Sequence, residues 1–186
     1  MPPRAKVTRE MILDAAFELV RSDGIEAVNA RTVSKALNCS TQPVMYHFKT
    51  IEELKRAVYE KADAYHSAYL LNIRSAPLQD IGLNYIRFAV EEKNLFRFLF
   101  QSNGFSGKNM AELIDAEELQ PVIALIRQEA DMDAGQAKTV FRSVFLLAHG
   151  YASMLANNEM AYDERTVLSD LTLLFDGTVH ALKGGA

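Results

Sequence analysis

The side chains that could bind a metal or carry a proton are four histidines, one cysteine and 24 carboxylates, spread over 186 residues. His47, His66, His149 and His180 lie far apart, and none belongs to a His-Glu-x-x-His motif or has metal-ligand spacing to another. Carboxylate pairs such as Glu91-Glu92 and Glu117-Glu118 are adjacent in sequence. On a helix such neighbours diverge by about 100°, so they read as solvated faces rather than acid–base pairs. There is no Gly-rich phosphate loop and no Gly-x-Ser-x-Gly elbow. Cys39 is the single cysteine, so no disulfide can form within the chain. Nothing around it predicts a lowered pKa, and a small inert residue is the expectation, with a redox sensor as the alternative. The chemistry of an enzyme, a metal or a cofactor is therefore not expected.

A different chemistry fits the run Ser40-Thr41-Gln42, followed by Met45-Tyr46-His47. Glutamine can pair bidentately with adenine, and threonine can offer its hydroxyl or its methyl to a base edge. Such contacts require a short, rigid helix able to enter a major groove about 12 Å wide. The surrounding residues predict such a helix and its supports. Thr8 can cap a first helix carrying Ile12, Ala16, Leu19 and Val20 at helical spacing, ended by Asp23-Gly24. Asn29 can cap a short second helix with Val33, Ala36 and Leu37. Asn38 follows, a residue type that tolerates positive φ. Ser40 can cap a third short helix to about His47, with Pro43 in its first turn, where a missing N–H costs little. Thr50-Ile51-Glu52-Glu53 reads as a capping box opening a fourth helix. A bracing helix followed by two short helices and a tight turn is the helix-turn-helix pattern.

The stretches Ile12–Leu19, Asp23-Gly24, Thr32–Leu37 and His47-Phe48, followed by Glu52-Glu53-Leu54, are similar to the DNA-binding domain of the TetR/AcrR family of transcriptional regulators. The resemblance spans residues 8–54, about a quarter of the chain. Three positions depart from the family's usual pattern: Asn38 stands for a turn glycine, Met45 for a tyrosine, and Ile51 for a lysine, with Lys49 the nearest cation. The candidate DNA-contacting residues are Arg31, Thr32, Ser40, Thr41, Gln42, Met45, Tyr46, His47 and Lys49. His47 could instead brace the helix end. Arg4, Lys6 and Arg9 form a candidate arm to phosphate or minor groove.

The remaining chain reads as helices throughout. Pro77 opens one with Leu78, Ile81, Tyr85, Phe88 and Ala89, and Asn94–Gln101 is dense in Leu and Phe. A helix ending near Asp131 has an unclear start, because Pro121 would break one begun at Asp115. Asp133–Gln136 caps a helix to about Asn157, and the last covers roughly Asp163–Leu182. The expected fold is all-α with about nine helices. Residues 1–50 form a DNA-binding head and 51–186 a helical effector-binding and dimerisation domain, linked by the helix starting near 50.

Five of ten phenylalanines fall between Phe88 and Phe105. Such a cluster can fill a core or line a pocket. The resemblance implies a small effector bound by the C-terminal helices, with Tyr65, Tyr85, Phe88, Phe96, Phe100, Phe105, Phe141, Phe145 and His149 as candidate ligand residues. It also implies a homodimer paired through the last two helices. The candidates there are Leu147, Tyr151, Met154, Leu155, Leu168, Leu171, Leu174, Phe175 and Val179. A twofold dimer matches a palindromic double-stranded DNA operator. The implied function is a ligand-responsive repressor. The rival reading, motivated by Met45 and Ile51, is a helical small-molecule binding or adaptor protein whose DNA-reading head has decayed.

The chain carries a formal charge of −4. Residues 1–50 hold seven Lys/Arg against five Asp/Glu, a net +2, and residues 51–186 hold 13 against 19, a net −6. The basic excess lies on the part that would meet phosphate, so the overall acidity does not exclude nucleic acid. No apolar run reaches the roughly 18 residues of a transmembrane helix. The N-terminus lacks a signal-peptide pattern, and a cytoplasmic protein with no membrane partner is expected.

Overall fold

The computed structural model describes residues 7–73, 77–102 and 110–184. Among them are ten α-helices, two 3-10 turns and no strand. Contacts divide the chain into two compact units, residues 1–67 with 92–102 and residues 68–91 with 103–186. The division falls elsewhere than the expected cut at residue 50, because a fourth and a sixth helix pack with the first three.

The first unit contains α1 (Arg9–Asp23), α2 (Ala30–Ala36), α3 (Thr41–His47) and most of α4 (Ile51–Leu70). It also contains α6 (Lys93–Phe100), which follows α5 (Pro77–Glu91) in sequence. Its core takes Ile12, Ala16 and Val20 from α1, Val33 from α2, Val44 and Phe48 from α3 and its end, and Leu54, Val58 and Ala62 from α4. Leu95, Phe96 and Leu99 of α6 are also buried. Each such side chain contributes roughly 1.5–3 kcal/mol on burial, which short helices need because they are marginal alone.

The caps are made as the sequence predicts, with two differences. Thr8 Oγ1 accepts from Met11 N at 3.2 Å, and Asn29 Oδ1 accepts from Arg31 N and Thr32 N. Gly24 takes φ 85°, a conformation that L side chains rarely adopt, and its N–H closes α1 on Val20 O. Ser40 occupies the N-cap position of α3, yet its hydroxyl makes no cap bond. At α4, Glu53 N donates to Thr50 Oγ1 as expected, but the Glu53 carboxylate accepts from Lys49 N rather than from Thr50 N.

The turn between α2 and α3 is a Schellman closure. Cys39 N donates to Ser34 O at 2.9 Å and Asn38 N to Lys35 O at 3.1 Å. The closure requires a left-handed residue, and Asn38 supplies it at φ 50°.

The second unit contains α5, α7 (Met110–Ile114), α8 (Gln120–Ala130), α9 (Ala134–Asn157) and α10 (Glu164–Gly184). The short α7 is the helix that the sequence reading lacked. Glu117–Leu119 form a 3-10 turn, and α8 starts at Gln120, which puts Pro121 in its first turn. That start resolves the conflict between the acidic cap signal and Pro121. The long α9 packs against α5, α8 and α10. Its start is a full capping box: Asp133 Oδ1 accepts from Gln136 N, and Gln136 Oε1 from Asp133 N. One cluster joins Ile114, Ile123, Ile126, Ala130, Met132, Ala137 and Val140, with Phe141, Val144, Phe175 and Val179 packed against it.

Candidate nucleic-acid interface and effector region

The inner face of α3 is committed to the fold through Val44 and the following Phe48, both fully buried. Its outer face is not. Thr41, Gln42, Met45 and Tyr46 are exposed, with Tyr46 79% open to solvent. Tyr46 meets the neighbouring His47 ring edge-on at 5.2 Å, and Met45 is 41% exposed. Arg31, Ser40 and Lys49 are exposed as well.

Two members of the expected DNA-contacting set have local duties. Thr32 Oγ1 donates to Ala27 O at 2.6 Å and accepts from Asn29 N at 3.1 Å, completing the α2 capping box. His47 is half-buried, with Nε2 3.1 Å from Val7 O. This contact links the end of α3 to the segment entering α1. Arg9 begins α1 and lies with its guanidinium 4.6 Å from the centre of the Phe48 ring. Arg4 and Lys6 lie outside the described residues.

The candidate ligand residues separate into two groups. Tyr65, Phe96 and Phe100 belong to the first unit. Phe96 is fully buried there, and Tyr65 donates to Glu92 Oε1 at 3.1 Å. Phe100 meets the His66 ring edge-on at 5.0 Å. His66 is buried, and desolvation pushes its pKa down to about 4, so it is neutral near pH 7.

Tyr85, Phe88, Phe141, Phe145 and His149 belong to the second unit. Phe88 is fully buried, with its ring edge-on to Tyr69 at 5.3 Å, and serves the core. The other four come together. Phe141, Phe145 and His149 succeed one another at single-turn spacing on α9, and the two Phe rings stack at 5.7 Å. Tyr85 of α5 meets this row, its ring 5.9 Å from Phe145 and its oxygen 2.8 Å from His149 Nδ1. Burial pushes the Tyr85 pKa up and the His149 pKa down, so the pair is neutral. Tyr85, Phe141, Phe145 and His149 thus form an uncharged aromatic row. Phe105 lies outside the described residues.

The expected dimer residues divide by exposure. Leu155 and Leu171 are 5% and 4% exposed within a single chain, so they belong to its own core and have little area left for a partner. Leu147, Leu168, Leu174, Phe175 and Val179 are half-buried. Tyr151 donates to Asp170 Oδ2, tying α9 to α10. Met154 is exposed, and so are Leu146 on α9 and Leu173 on α10, which the expected set does not include. The signal was available: Leu146, Gly150 and Met154 succeed one another at intervals of four along α9. A groove of about 140 Å³ where α9 turns into α10 is lined by Tyr151, Met154, Met160, Tyr162 and Val167, among others.

A second omission is polar. Glu92 is 7% exposed and accepts from Arg21 Nε at 2.8 and 3.0 Å and from Nη2 at 2.5 Å. The reading of Glu91-Glu92 as a solvated face is therefore corrected: the first is exposed, the second is not. The carboxylate pushes the Arg21 pKa up, so the arginine stays charged.

Residues 78–182, more than half of the chain, match the family model of the tetracyclin repressor-like C-terminal domain. No curated protein matches the chain. Among solved structures, the chain is similar to a member of the TetR family from Streptomyces coelicolor A3, with 20% identity over 89% of this chain and 96% of that one, at a TM-score of 0.62. It is also similar to the multidrug binding protein EbrR complexed with imidazole, with 20% identity over 94% of this chain and 97% of that one, at a TM-score of 0.57. At these identities the likeness is one of fold, and it extends over nearly the whole length of each. With the helix-turn-helix head at one end and the matched C-terminal region after it, the chain belongs to the TetR family of transcriptional regulators.

Proposed function

We propose that the chain is a ligand-responsive repressor that binds a palindromic operator as a homodimer. The observation that carries this reading is the division of labour on α3. Its inner face is buried, while Thr41, Gln42, Met45 and Tyr46 stand exposed with a glutamine among them suited to adenine. In a dimer, two α3 helices enter successive major grooves roughly 34–36 Å apart. Arg31 and Lys49 are exposed cations suited to phosphate, and the exposed Ser40 hydroxyl, which makes no cap bond to α3, is suited to the same use.

Dimerisation fits the outer faces of α9 and α10. Leu146, Met154 and Leu173 are large, apolar and exposed, which is costly on an isolated subunit and is relieved by a second copy. Gly150 and Gly177 stand on the same two helices with open space where a side chain would be, so a partner helix can approach closely.

The effector reading rests on the aromatic row of Phe141, Phe145, His149 and Tyr85, with EbrR's description as a multidrug binding protein as a parallel. An effector that favours one head spacing by a few kcal/mol is sufficient, since about 1.4 kcal/mol is a factor of ten.

The test is a footprint of the full-length protein on the DNA flanking its own gene. Two protected half-sites about one helical turn apart support the repressor reading. No protection even at low salt, where phosphate attraction is strongest, sinks it in favour of an adaptor with a decayed head.

A further inference from the structure

The exposed side chains of α3 fall in two rows. Thr41 and Met45 stand one turn apart, and so do Gln42 and Tyr46. Three of the four have an evident use against a duplex. Gln42 can pair with adenine, Thr41 can offer a hydroxyl or a methyl to a base edge, and the Tyr46 phenol can bond to phosphate. Met45 has no donor, and its thioether is only a weak acceptor.

Met45 stands where the family usually has a tyrosine. The change removes a hydroxyl able to reach phosphate and puts a flexible apolar chain in its place. The fold does not consume that chain: Met45 is 41% exposed, whereas the preceding Val44 is fully buried. A helix lying in a major groove presents such a side chain to phosphates and base edges. Phosphates are charged, and base edges carry hydrogen-bond donors and acceptors. The one apolar group on the major-groove edge of unmodified DNA is the C5-methyl of thymine. Packing the methionine on any other group there would desolvate a polar atom without return.

The position on α3 suits that partner. Gln42 and Met45 are three residues apart, so their β-carbons lie about 5–6 Å from each other on one side of the helix. Successive base pairs lie ~3.4 Å apart. The two side chains therefore reach the same base pair or near neighbours. An A·T pair shows the adenine N6 and N7 and the thymine methyl on one major-groove edge. Hydrogen bonding by the glutamine and methyl packing by the methionine thus ask for the same kind of base pair.

We propose that Met45 is a specificity-determining residue that packs on the C5-methyl of a thymine in each half-site. The proposal rests on the reading of the chain as a DNA-binding regulator, and it narrows what that regulator reads. It also gives the loss of the tyrosine a use, where the rival reading takes it as decay of the head.

The experiment uses the full-length protein and a duplex that the wild type enriches from a random pool. Each thymine of the half-sites is replaced in turn by deoxyuridine, which removes the methyl and keeps every hydrogen-bonding group of the base. Wild type, Met45→Ala, Met45→Gln and Met45→Leu are titrated against the set by fluorescence anisotropy, with helix content checked by circular dichroism. At one thymine position the wild type is expected to lose about fourfold when one half-site carries uracil and about fifteenfold when both do. In Met45→Ala and Met45→Gln the thymine and uracil duplexes bind alike at that position. Met45→Leu, still apolar, keeps most of the preference. A merely structural role for Met45 weakens every duplex by one factor and leaves the thymine-to-uracil ratios intact, which overturns the proposal. A wild type indifferent to every replacement overturns it as well, and that result needs no variant to fold. A wild type that enriches no duplex brings down the DNA-binding reading itself, an outcome distinct from both.

Discussion

Asn38 sets the angle between α2 and α3 with a single backbone torsion, and its replacement gives a signed prediction. The two hydrogen bonds of the turn, Cys39 N to Ser34 O and Asn38 N to Lys35 O, are backbone bonds that any residue at position 38 can keep. Asn38 is exposed, so little packing changes with its side chain. What does change is the cost of holding φ near 50°. A left-handed residue with a β-carbon pays roughly 1–2 kcal/mol, less for asparagine, and glycine avoids the penalty. Glycine in turn gives back about 0.4–1 kcal/mol through the greater freedom of the unfolded chain. Asn38→Ala should therefore destabilise the head by about 1 kcal/mol, whereas Asn38→Gly should stay within about 0.5 kcal/mol of the wild type. Global melting would dilute a local effect. Amide hydrogen exchange at Val33 and Val44, buried on the two helices the turn joins, reads the head directly. The alanine variant should exchange about fivefold faster at both sites, the glycine variant almost as the wild type. Equal exchange in the alanine and glycine variants would refute the torsional argument.

Gln42→Ala should cost about 1–3 kcal/mol of operator affinity and relax one base position; unchanged specificity in a binding-site selection removes Gln42 from the readout. Leu146→Asp combined with Leu173→Asp should give monomers by sedimentation without loss of helix content, since both side chains are exposed in the single chain. A persisting dimer refutes the assigned face. Leu171 is unsuitable for this purpose, because its burial makes Leu171→Asp a core lesion. For His66, the folded pKa of about 4 lies below the ordinary 6.5, so the unfolded chain binds more protons between those values. Stability should therefore fall as pH drops from 6.5 towards 4, by at most about 3 kcal/mol, and the dependence on this group should flatten below. His149, with its pKa also lowered by burial, acts in the same direction. Urea midpoints measured across this range should flatten in His66→Leu; an identical slope in the variant refutes the assignment.

The fold was legible where local chemistry decides it. Thr8, Asn29, Thr50 and Asp133 announce helix starts through short-range bonds that sequence spacing encodes directly. The same holds for Gly24 and Asn38, whose positive φ the residue types foretell. The start of α8 was ambiguous because an acidic cap signal and Pro121 compete, and a 3-10 turn between them settles it. What sequence could not supply was the partner of a side chain distant in the chain. Glu92 lies 71 residues from Arg21, and no periodicity links them. Leu171 and Leu173 are both apolar on one helix, yet one is 4% and the other 72% exposed, a difference set by the helices packed alongside. For Thr32 and His47, both candidate DNA contacts, sequence could not name the carbonyls of Ala27 and Val7 that lie within reach.

The outward face of α3 has a consequence for how such a regulator diverges. Val44 and Phe48 keep the helix in place, while Thr41, Gln42, Met45 and Tyr46 are exposed, Tyr46 with its ring edge-on to His47. Substitutions at exposed sites of this kind usually fall within ±0.5 kcal/mol of neutral for stability. The address a duplicated copy reads can therefore drift one side chain at a time through fully folded intermediates. On the proposed reading of this face, target recognition and foldability are separable in this head, and a new regulon requires no new core.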